Sequence, residues 1–595
     1  MKILTLDFET FFDTNFSLTK MTTMEYVNSD MFTVWGVGCK LENDLTEWYS
    51  KDEVQDYFLT IDWDDIAVVC HNTPFDAYIL TQYYEVKPAY YYDTAAMSRG
   101  LYPGQSASLK NVAERLFPND DSLRKGDELV SAKGMVDLPP SIEEDIANYC
   151  RQDVILTKEI FDVLLPNFPQ KELDIIDLTT RMFVEPKLTL DINMLEKHRD
   201  KHKQDALDKI EASGTTREVL ASNNKFTEHL ESLGIVVPTK KSPTTGKMIP
   251  AFSKTDIAYV QMCRQNPELE HIWQAREAVK SRIEETRADR FINSTNKDGS
   301  FGAPLRYYAA HTGRFGGTEK INLQNLPRGS ALRTALCAPE GKLLFIGDLS
   351  NIEVRMLAWL AKEADLIDAF TEGRDVYCEF ASEIYGRPIT KADKLERYVG
   401  KTAILGLGYG MGWERFKYTL KTGSPSVDVT DATAKSIVEI YRGSYPNITR
   451  LWAMCKQLLF SMGDQYQKGS GYGPLTIGHN CLKLPNGMYL QYPNLTYAPA
   501  DGGFVYNFYK RTERLYGPKL TENIIQALAR IVITDAMLQL DDVVLQIHDE
   551  IITCKQVDNP DDELSRMLGI MTQAPHWCTS IPLAAEGGYS TRYDK

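Results

Sequence analysis

Two groups of carboxylates, far apart in the chain, have the residue types and spacing of metal-assisted phosphate chemistry. Asp7 and Glu9 stand two apart at the end of a short apolar run, Lys2–Leu6. The period-2 geometry of a strand points both side chains to one face. Asp76 follows a later apolar run, inside His71-Asn72-Thr73-Pro74-Phe75-Asp76, and Tyr149 and Asp153 are four apart in a predicted helix. Such a pair shares a helix face. Asp7, Glu9, Asp76 and Asp153 together form a candidate ligand set for two divalent cations, which activate a water and stabilise a leaving 3′-oxygen. Mg²⁺, a hard ion that prefers carboxylate oxygens, is the expected occupant, two per site, with Mn²⁺ as a substitute. Tyr149 is placed to orient the attacking water by hydrogen bonding. A lone Asp-x-Glu is usually just solvated; the ordered set carries the reading.

The second group spans about 200 residues. Leu343–Ile346 runs through Gly347 to Asp348, and Val543–Ile547 runs into His548-Asp549-Glu550 before Ile551-Ile552-Thr553. The latter reads as a hairpin with its acids at a tight turn. If the two strands pair, Asp348 and Asp549 meet and share two metal ions. One ion would lower the pKa of a 3′-hydroxyl and the other would neutralise a triphosphate leaving group. Between them Arg397, Lys401, Leu405 and Tyr409 recur every four residues, a single drifting stripe on an α-helix. A guanidinium fork and an ammonium one turn apart suit β- and γ-phosphates. Leu405 and Tyr409 would lie under a sugar and base, and Gly406, Gly408 and Gly410 would let a base approach the backbone.

The elements that must position these groups follow from periodicity. Lys2–Leu6, Thr33–Leu41 and Ala67–Cys70 are expected strands, and Phe75–Tyr84, Ser108–Phe117 and Ser141–Leu165 expected helices. This first α/β unit ends near Pro166-Asn167-Phe168-Pro169. A charged helical region follows, with Asp191 as a helix cap and a basic loop over Thr239–Lys254. Glu268–Ile292 reads as one helix of about 36 Å, carrying Arg276, Lys280, Arg282, Arg287 and Arg290. Strands return from about Phe301, interleaved with long helices. There is no internal repeat or low-complexity tract.

A chain of 595 residues exceeds a single hydrophobic core and implies two to four domains. No run approaches the roughly 18 apolar residues of a membrane span, and the acids at Asp7 and Glu9 interrupt any signal peptide. The ten cysteines lack CxxC or framework spacing, which fits reduced thiols in a cytoplasm. A net charge of −16 weighs only weakly against a nucleic-acid partner, because local basic stripes grip DNA and metal sites need clustered acids.

With these residues in view, Asp7-Phe8-Glu9, Asn72…Asp76 and Tyr149…Asp153 resemble the three motifs of the DEDDy 3′→5′ exonucleases, over about residues 1–170. The resemblance implies an RNase-H-like fold. Asp348-Leu349-Ser350-Asn351-Ile352-Glu353-Val354-Arg355 is similar to motif A of family A DNA polymerases, the bacterial polymerase I type. Arg397…Lys401…Tyr409-Gly410 resembles motif B, and His548-Asp549-Glu550 resembles motif C. Thr312-Gly313-Arg314 and Asn322-Leu323-Gln324-Asn325-Leu326-Pro327 resemble the family's primer–template segment.

The resemblance implies a multidomain α/β chain with a right-hand polymerase. Its parts would be an exonuclease at 1–170, thumb and connecting helices at 171–300, palm at 301–370 and 521–595, and fingers at 371–520. It implies Asp348 and Asp549 as metal ligands, with Glu550 in the same catalytic motif. Arg397 and Lys401 would bind the triphosphate and Tyr409 would sit beside the templating pair. Glu353 would block a ribose 2′-hydroxyl, and Asn351, Leu405 and Tyr377 would line the nucleotide site. Arg314, Gln324, Asn325, Gln526 and His548 would contact DNA, largely in the sequence-degenerate minor groove, and Lys280 would hold duplex phosphates. Primer–template DNA and dNTPs are the implied partners, with replication accessory proteins possible in principle and no membrane. The layout resembles a bacteriophage replicative polymerase, which would work in a host cytoplasm, with a small bacterial enzyme as the alternative and no 5′-nuclease domain expected ahead of the exonuclease.

Five positions depart from the family pattern: Leu405 replaces an aromatic residue, Tyr377 a phosphate-contacting His, Asn351 a Gln, and Gly316-Gly317 a pair of serines. Sugar discrimination is the property that Leu405 and Tyr377 put in question. An RNA-processing exonuclease would explain the first cluster but leave Asp348, Arg397, Lys401 and Asp549 as coincidence. A non-catalytic DNA-binding scaffold would not need the full ligand set.

Overall fold

The computed structural model describes residues 1–594 except 127–130, 243–245, 254–255, 282, 464–468 and 500–502. At the amino-terminal end, β1 (Lys2–Thr10), β2 (Val34–Leu41), β3 (Glu47–Ser50), β4 (Ile66–Cys70) and β5 (Tyr90–Asp93) form one sheet in the order β3-β2-β1-β4-β5. β1 is antiparallel to β2 and parallel to β4, which is parallel to β5. The apolar run of β4 is buried along its whole length, as a central parallel strand requires. Helix α1 (Thr73–Gln82) follows β4, and α2 (Pro140–Leu164) packs over β1 and β2. β1 extends four residues beyond the expected Leu6, so Asp7 and Glu9 lie within the ladder, opposite Gly38 and Gly36. The backbone pairing with β2 overrides the polarity of the two acids.

Helix α3 (Gln170–Val184) leads into α4 (Ile192–Ala212), whose N-cap Asp191 accepts from the Met194 amide at 2.9 Å. The single long helix expected over 268–292 is instead two, α5 (Glu270–Lys280) and α6 (Ile283–Asn293). Ser281 leaves helical backbone geometry (φ −110, ψ 71). The two halves answer to different cores. Ile272 and Trp273 join Leu220, Phe226, Leu230 and Met262 in a small separate cluster, while Ala288 and Phe291 join the main core. The basic loop is a short hairpin, Thr239–Lys241 with Met248–Pro250. Pro243, Lys254 and Arg282 lie outside the described residues.

In the carboxy-terminal part, β6 (Leu343–Leu349), β7 (Val543–Ile547), β8 (Glu550–Lys555) and β9 (Ala585–Ser590) form a second sheet in the order β7-β8-β6-β9. Around it lie α7 (Ile352–Ala361), α8 (Val376–Tyr385), α9 (Lys394–Leu407) and α10 (Gly517–Met537). α10 is buried along most of its length, which its run of Ile, Leu, Ala and Val dictates. No helix among the described residues is long and apolar enough to cross a membrane. All ten cysteines are free.

Candidate active sites

In the amino-terminal domain, β1 delivers Asp7 and Glu9, α1 delivers Asp76, and α2 delivers Tyr149 and Asp153. The Asp76 carboxylate accepts from the Phe8 amide at 3.0 Å, tying α1 to β1 between the two acids. Cys150 anchors α2 by donating to the Asp7 carbonyl at 3.2 Å. Glu9, Asp76 and Asp153 are almost fully buried. Burial, and then the nearby Asp153 charge, raises the Asp7 carboxyl to about 7. Glu9 and Asp76 are also pushed well above the usual carboxylate range, by burial first and by Asp7 next. Asp7, Glu9 and Cys150 bring ligand atoms within 4.8 Å of one another, and with Asp76 and Asp153 nearby, against the cation Lys125, the acids have the donor chemistry of a cation site. Burial and the same acids raise the Tyr149 hydroxyl, so it remains a proton donor.

Sequence reasoning missed one member of this site. Lys125 forms an ion pair with Asp153 and lies 4.7 Å from the centre of the Tyr149 ring. It sits outside any regular element, so no periodicity marked it.

In the second sheet, β6 pairs with β8 so that Asp348 lies opposite Glu550, and the Leu349 amide donates to the Asp549 carbonyl at 3.0 Å. His548 and Asp549 form the two-residue turn between β7 and β8, with His548 at φ 49, in the left-handed region such turns use. Asp348, inside β6 rather than beyond it, therefore neighbours Asp549, as the strand pairing expected from sequence requires. Burial raises the Asp549 carboxyl to about 6; Arg314 lowers it and Asp348 and Glu550 raise it. These two acids also have the donor chemistry for divalent cations.

They open into a cleft of about 580 Å³. Its walls include Gln324, Asn325, Asn351, Glu353, Tyr377, Lys401, Leu405, His548 and Glu550. Arg314 lines an adjoining cavity with Gln324, His548 and Asp549. Of the remaining candidates, Arg397 lies beside this wall. It donates to Asp375 at 3.0 and 2.9 Å, and its guanidinium carbon is 5.3 Å from the centre of the Tyr377 ring. Tyr377 donates to the Asn351 side chain. Gln526 donates to Glu522 at 3.2 Å on α10, and Lys280 ends α5; neither lines the cleft.

Several assignments change in detail. Tyr409 is not on α9, which ends at Leu407; the chain closes a tight turn through Tyr409 N–H to Gly406 and Gly410 N–H to Leu407. The turn carries the Tyr409 hydroxyl to Glu353, 3.2 Å away, and Glu353 is also ion-paired with Arg314. The glycines there serve protein packing. A Cβ on Gly408 would lie 2.7 Å from Leu357, and Gly410 (φ 75) faces Pro518. Gln324 is engaged within the protein. It donates to the Gln546 carbonyl at 2.7 Å and accepts from the His548 amide at 2.9 Å, so it fixes the turn that carries Asp549.

Glu550 is buried and accepts from Arg333 at 3.1 and 2.8 Å and from the Tyr593 hydroxyl. Arg328, unmarked by sequence, bridges Glu550 and Asp348 at 3.2 and 3.1 Å. Three of the cations of the expected basic helix are engaged within the protein. Arg276 is buried, bonded to the Leu220 carbonyl and stacked on Phe226, and Arg287 and Arg290 pair with Glu284 and Glu25.

Residues 192–463 match the profile of DNA polymerase family A, and residues 48–168 match that of a 3′-5′ exonuclease. Within this chain, a segment that matches a 3′-5′ exonuclease thus precedes a segment that matches DNA polymerase family A. A DNA polymerase of Bacillus phage SP02 is 28% identical over 284 residues, 44% of this chain and 43% of that protein. The thermostable DNA polymerase I of Thermus aquaticus is 33% identical over 218 residues, 36% of this chain and 24% of that enzyme. The chain thus spans less than half the length of these relatives, which are phage and bacterial alike. The POL domain of Pol1 from M. smegmatis, solved in complex with DNA primer-template and dNTP, superimposes with a TM-score of 0.63 at 18% identity. The overlay covers 95% of this chain and 94% of that one, a likeness of fold. Asp7, Glu9 and Asp549 lie outside both matched segments.

Proposed function

We propose that this chain is a DNA-directed DNA polymerase that extends a primer 3′ end with dNTPs during DNA replication and proofreads it with its 3′→5′ exonuclease. The observation that carries this reading is the adjacency of Asp348 and Asp549 at one cleft with Lys401 and Glu353 on its wall. In this reading the second sheet is the palm, α8 and α9 belong to the fingers, and residues 171–300 include the thumb.

Asp348 and Asp549 would hold divalent cations in the polymerase site, and Asp7, Glu9, Asp76 and Asp153 in the exonuclease site. The all-oxygen donor sets favour Mg²⁺. When bound, such ions supply Lewis acidity to the attacking oxygen and neutralise charge on the leaving one. Lys401 and Arg397 bind the triphosphate, Arg397 being aimed by Asp375. Glu353, held by Arg314 and Tyr409, closes the space a ribose 2′-hydroxyl would need. Asn325 and His548 face the primer–template. Glu550 acts through position, tying the Asp549 turn to Arg333. In the exonuclease site Tyr149 donates a hydrogen bond to the attacking water.

A primer-extension assay on a DNA template with dNTPs and Mg²⁺ tests the reading. Template-dependent extension is expected, together with degradation of single-stranded 3′ ends when dNTPs are omitted. Degradation without extension would favour a nuclease whose carboxy-terminal part only binds nucleic acid.

A further inference from the structure

Helix α4 has 21 residues but buries only Leu195 fully, so apolar packing contributes little to holding it. Its Ile192, Met194 and Ile210 pack only partly buried, Arg199 pairs with Asp289 of α6, and a further tie is polar. His198 and His202 are one turn apart and therefore on one face, with ring centres 4.4 Å apart. Facing them is Glu284 of α6, whose Oε2 lies 3.1 Å from His198 Nε2. One ligand atom from each of the three falls within 4.8 Å of the others.

We propose that His198, His202 and Glu284 form a binding site for a zinc-type divalent cation that cross-links α4 to α6. A hydrogen bond between His198 and Glu284 accounts for two of the three groups but not for the second imidazole brought to the same point. Two imidazoles and a carboxylate are a borderline N₂O donor set, suited to Zn²⁺ or Co²⁺; Mg²⁺ requires oxygen ligands in octahedral geometry. With metal–ligand bonds of about 2.0–2.2 Å, tetrahedral ligand atoms sit roughly 3.3–3.5 Å apart. The existing 3.1 Å contact therefore opens only slightly to admit an ion.

Arg287 approaches Glu284 at its other oxygen, Oε1, 3.5 Å away, so Oε2 faces the histidines. His202 is exposed, which provides an entry path and a position for water as the fourth ligand. The cavity beside it is lined by Asp205, Glu277, Glu284 and Glu285 against one cation, Lys209, and the net negative field favours a cation. None of the three ligands lines the polymerase cleft.

The test uses the full chain, stripped with a chelator and titrated with Zn²⁺ alone and with Co²⁺ alone, beside the His198→Gln/His202→Gln variant. The wild type is expected to bind one more tight equivalent of Zn²⁺ than the variant. At that site, loss of the imidazoles should weaken affinity at least about tenfold, the smaller of the effects seen even for residues that only orient ligands. Visible Co²⁺ bands of tetrahedral N/O ligation should appear in the wild type alone, and Zn²⁺ should raise its Tm but not the variant's. Excess Mg²⁺ should not displace the Zn²⁺. Equal Zn²⁺ uptake by the two proteins, or displacement by Mg²⁺, overturns the proposal. If the double variant does not fold, His202→Gln alone, at an exposed position, gives the same comparison.

Discussion

Glu172 and Arg530, 358 positions apart, form a buried ion pair between α3 and α10. Tyr307 donates to the same carboxylate at 2.6 Å and Asn486 at 2.8 Å. The pair joins the helix that follows the first domain to α10, which lines the cavity adjoining the cleft. Removing one partner leaves a buried charge uncompensated, which costs about 3–5 kcal/mol, whereas replacing both with apolar groups is often neutral. Glu172→Gln should therefore lower the urea midpoint markedly, and Glu172→Leu/Arg530→Met should recover most of it. Equal midpoints for the single and double variants would contradict this.

The same pair sets an acid limit. Burial alone would raise the Glu172 carboxyl, but Arg530 and the two side-chain donors hold it below the usual value. A group with a depressed folded pKa contributes stability above its unfolded pKa, about 4.3, and loses it as pH falls through the folded value. Wild type should lose stability there more steeply than Glu172→Leu/Arg530→Met, measured by urea unfolding across that acid range.

The exonuclease acids give the opposite slope. Burial, and then Asp153, push the Asp7 carboxyl up to about 7, so the folded chain favours its neutral form. A raised folded pKa contributes stability that is full below the unfolded value and is lost as pH rises towards about 7. Chelator-treated protein should therefore show a Tm contribution from Asp7 that declines over this interval, and Mg²⁺ should raise Tm most at its upper end. Asp7→Asn should flatten both dependences; an unchanged pH–Tm profile in that variant would refute the assignment.

The two activities should separate by mutation. Asp549→Ala should abolish nucleotide addition, a loss of several powers of ten expected when a metal ligand is removed, while 3′-end degradation persists. Asp7→Ala should do the reverse. Extension and single-strand degradation assays on both variants check this, and extension by Asp549→Ala at wild-type rate would remove Asp549 from the metal site.

Glu353→Ala should ease ribonucleotide incorporation, read as the ratio of kcat/KM for rNTP and dNTP. Because Tyr409 and Arg314 both hold Glu353, Tyr409→Phe should move the same ratio in the same direction by a smaller amount. A ratio unmoved by Glu353→Ala would leave 2′-hydroxyl exclusion to other residues.

Much of both sites was legible in the sequence because their parts are local. The strand period placed Asp7 with Glu9, the helix period placed Tyr149 with Asp153, and the apolar runs ending at Asp348 and Asp549 implied paired strands. What local pattern does not encode is where an element stops when two cores compete for it. The run 268–292 is continuous in helical periodicity, yet Trp273 and Phe291 pack into different clusters, and the helix breaks at Ser281 between them. The four-residue stripe likewise ran on to Tyr409, whereas packing of Gly408 against Leu357 coincides with the end of α9 and sends Tyr409 to Glu353.

The sequence by itself determined which residues could do chemistry and on which short elements they ride, since side-chain type and backbone period are properties of neighbouring residues. Only the tertiary structure decided which charges are available. Burial and long-range pairing turn Arg276, Gln324 and Glu550 inward as structural groups, bring Lys125 onto Asp153, and set His198, His202 and Glu284 together across two helices. Those encounters depend on distance in space, which contacts between remote segments set and spacing along the chain does not.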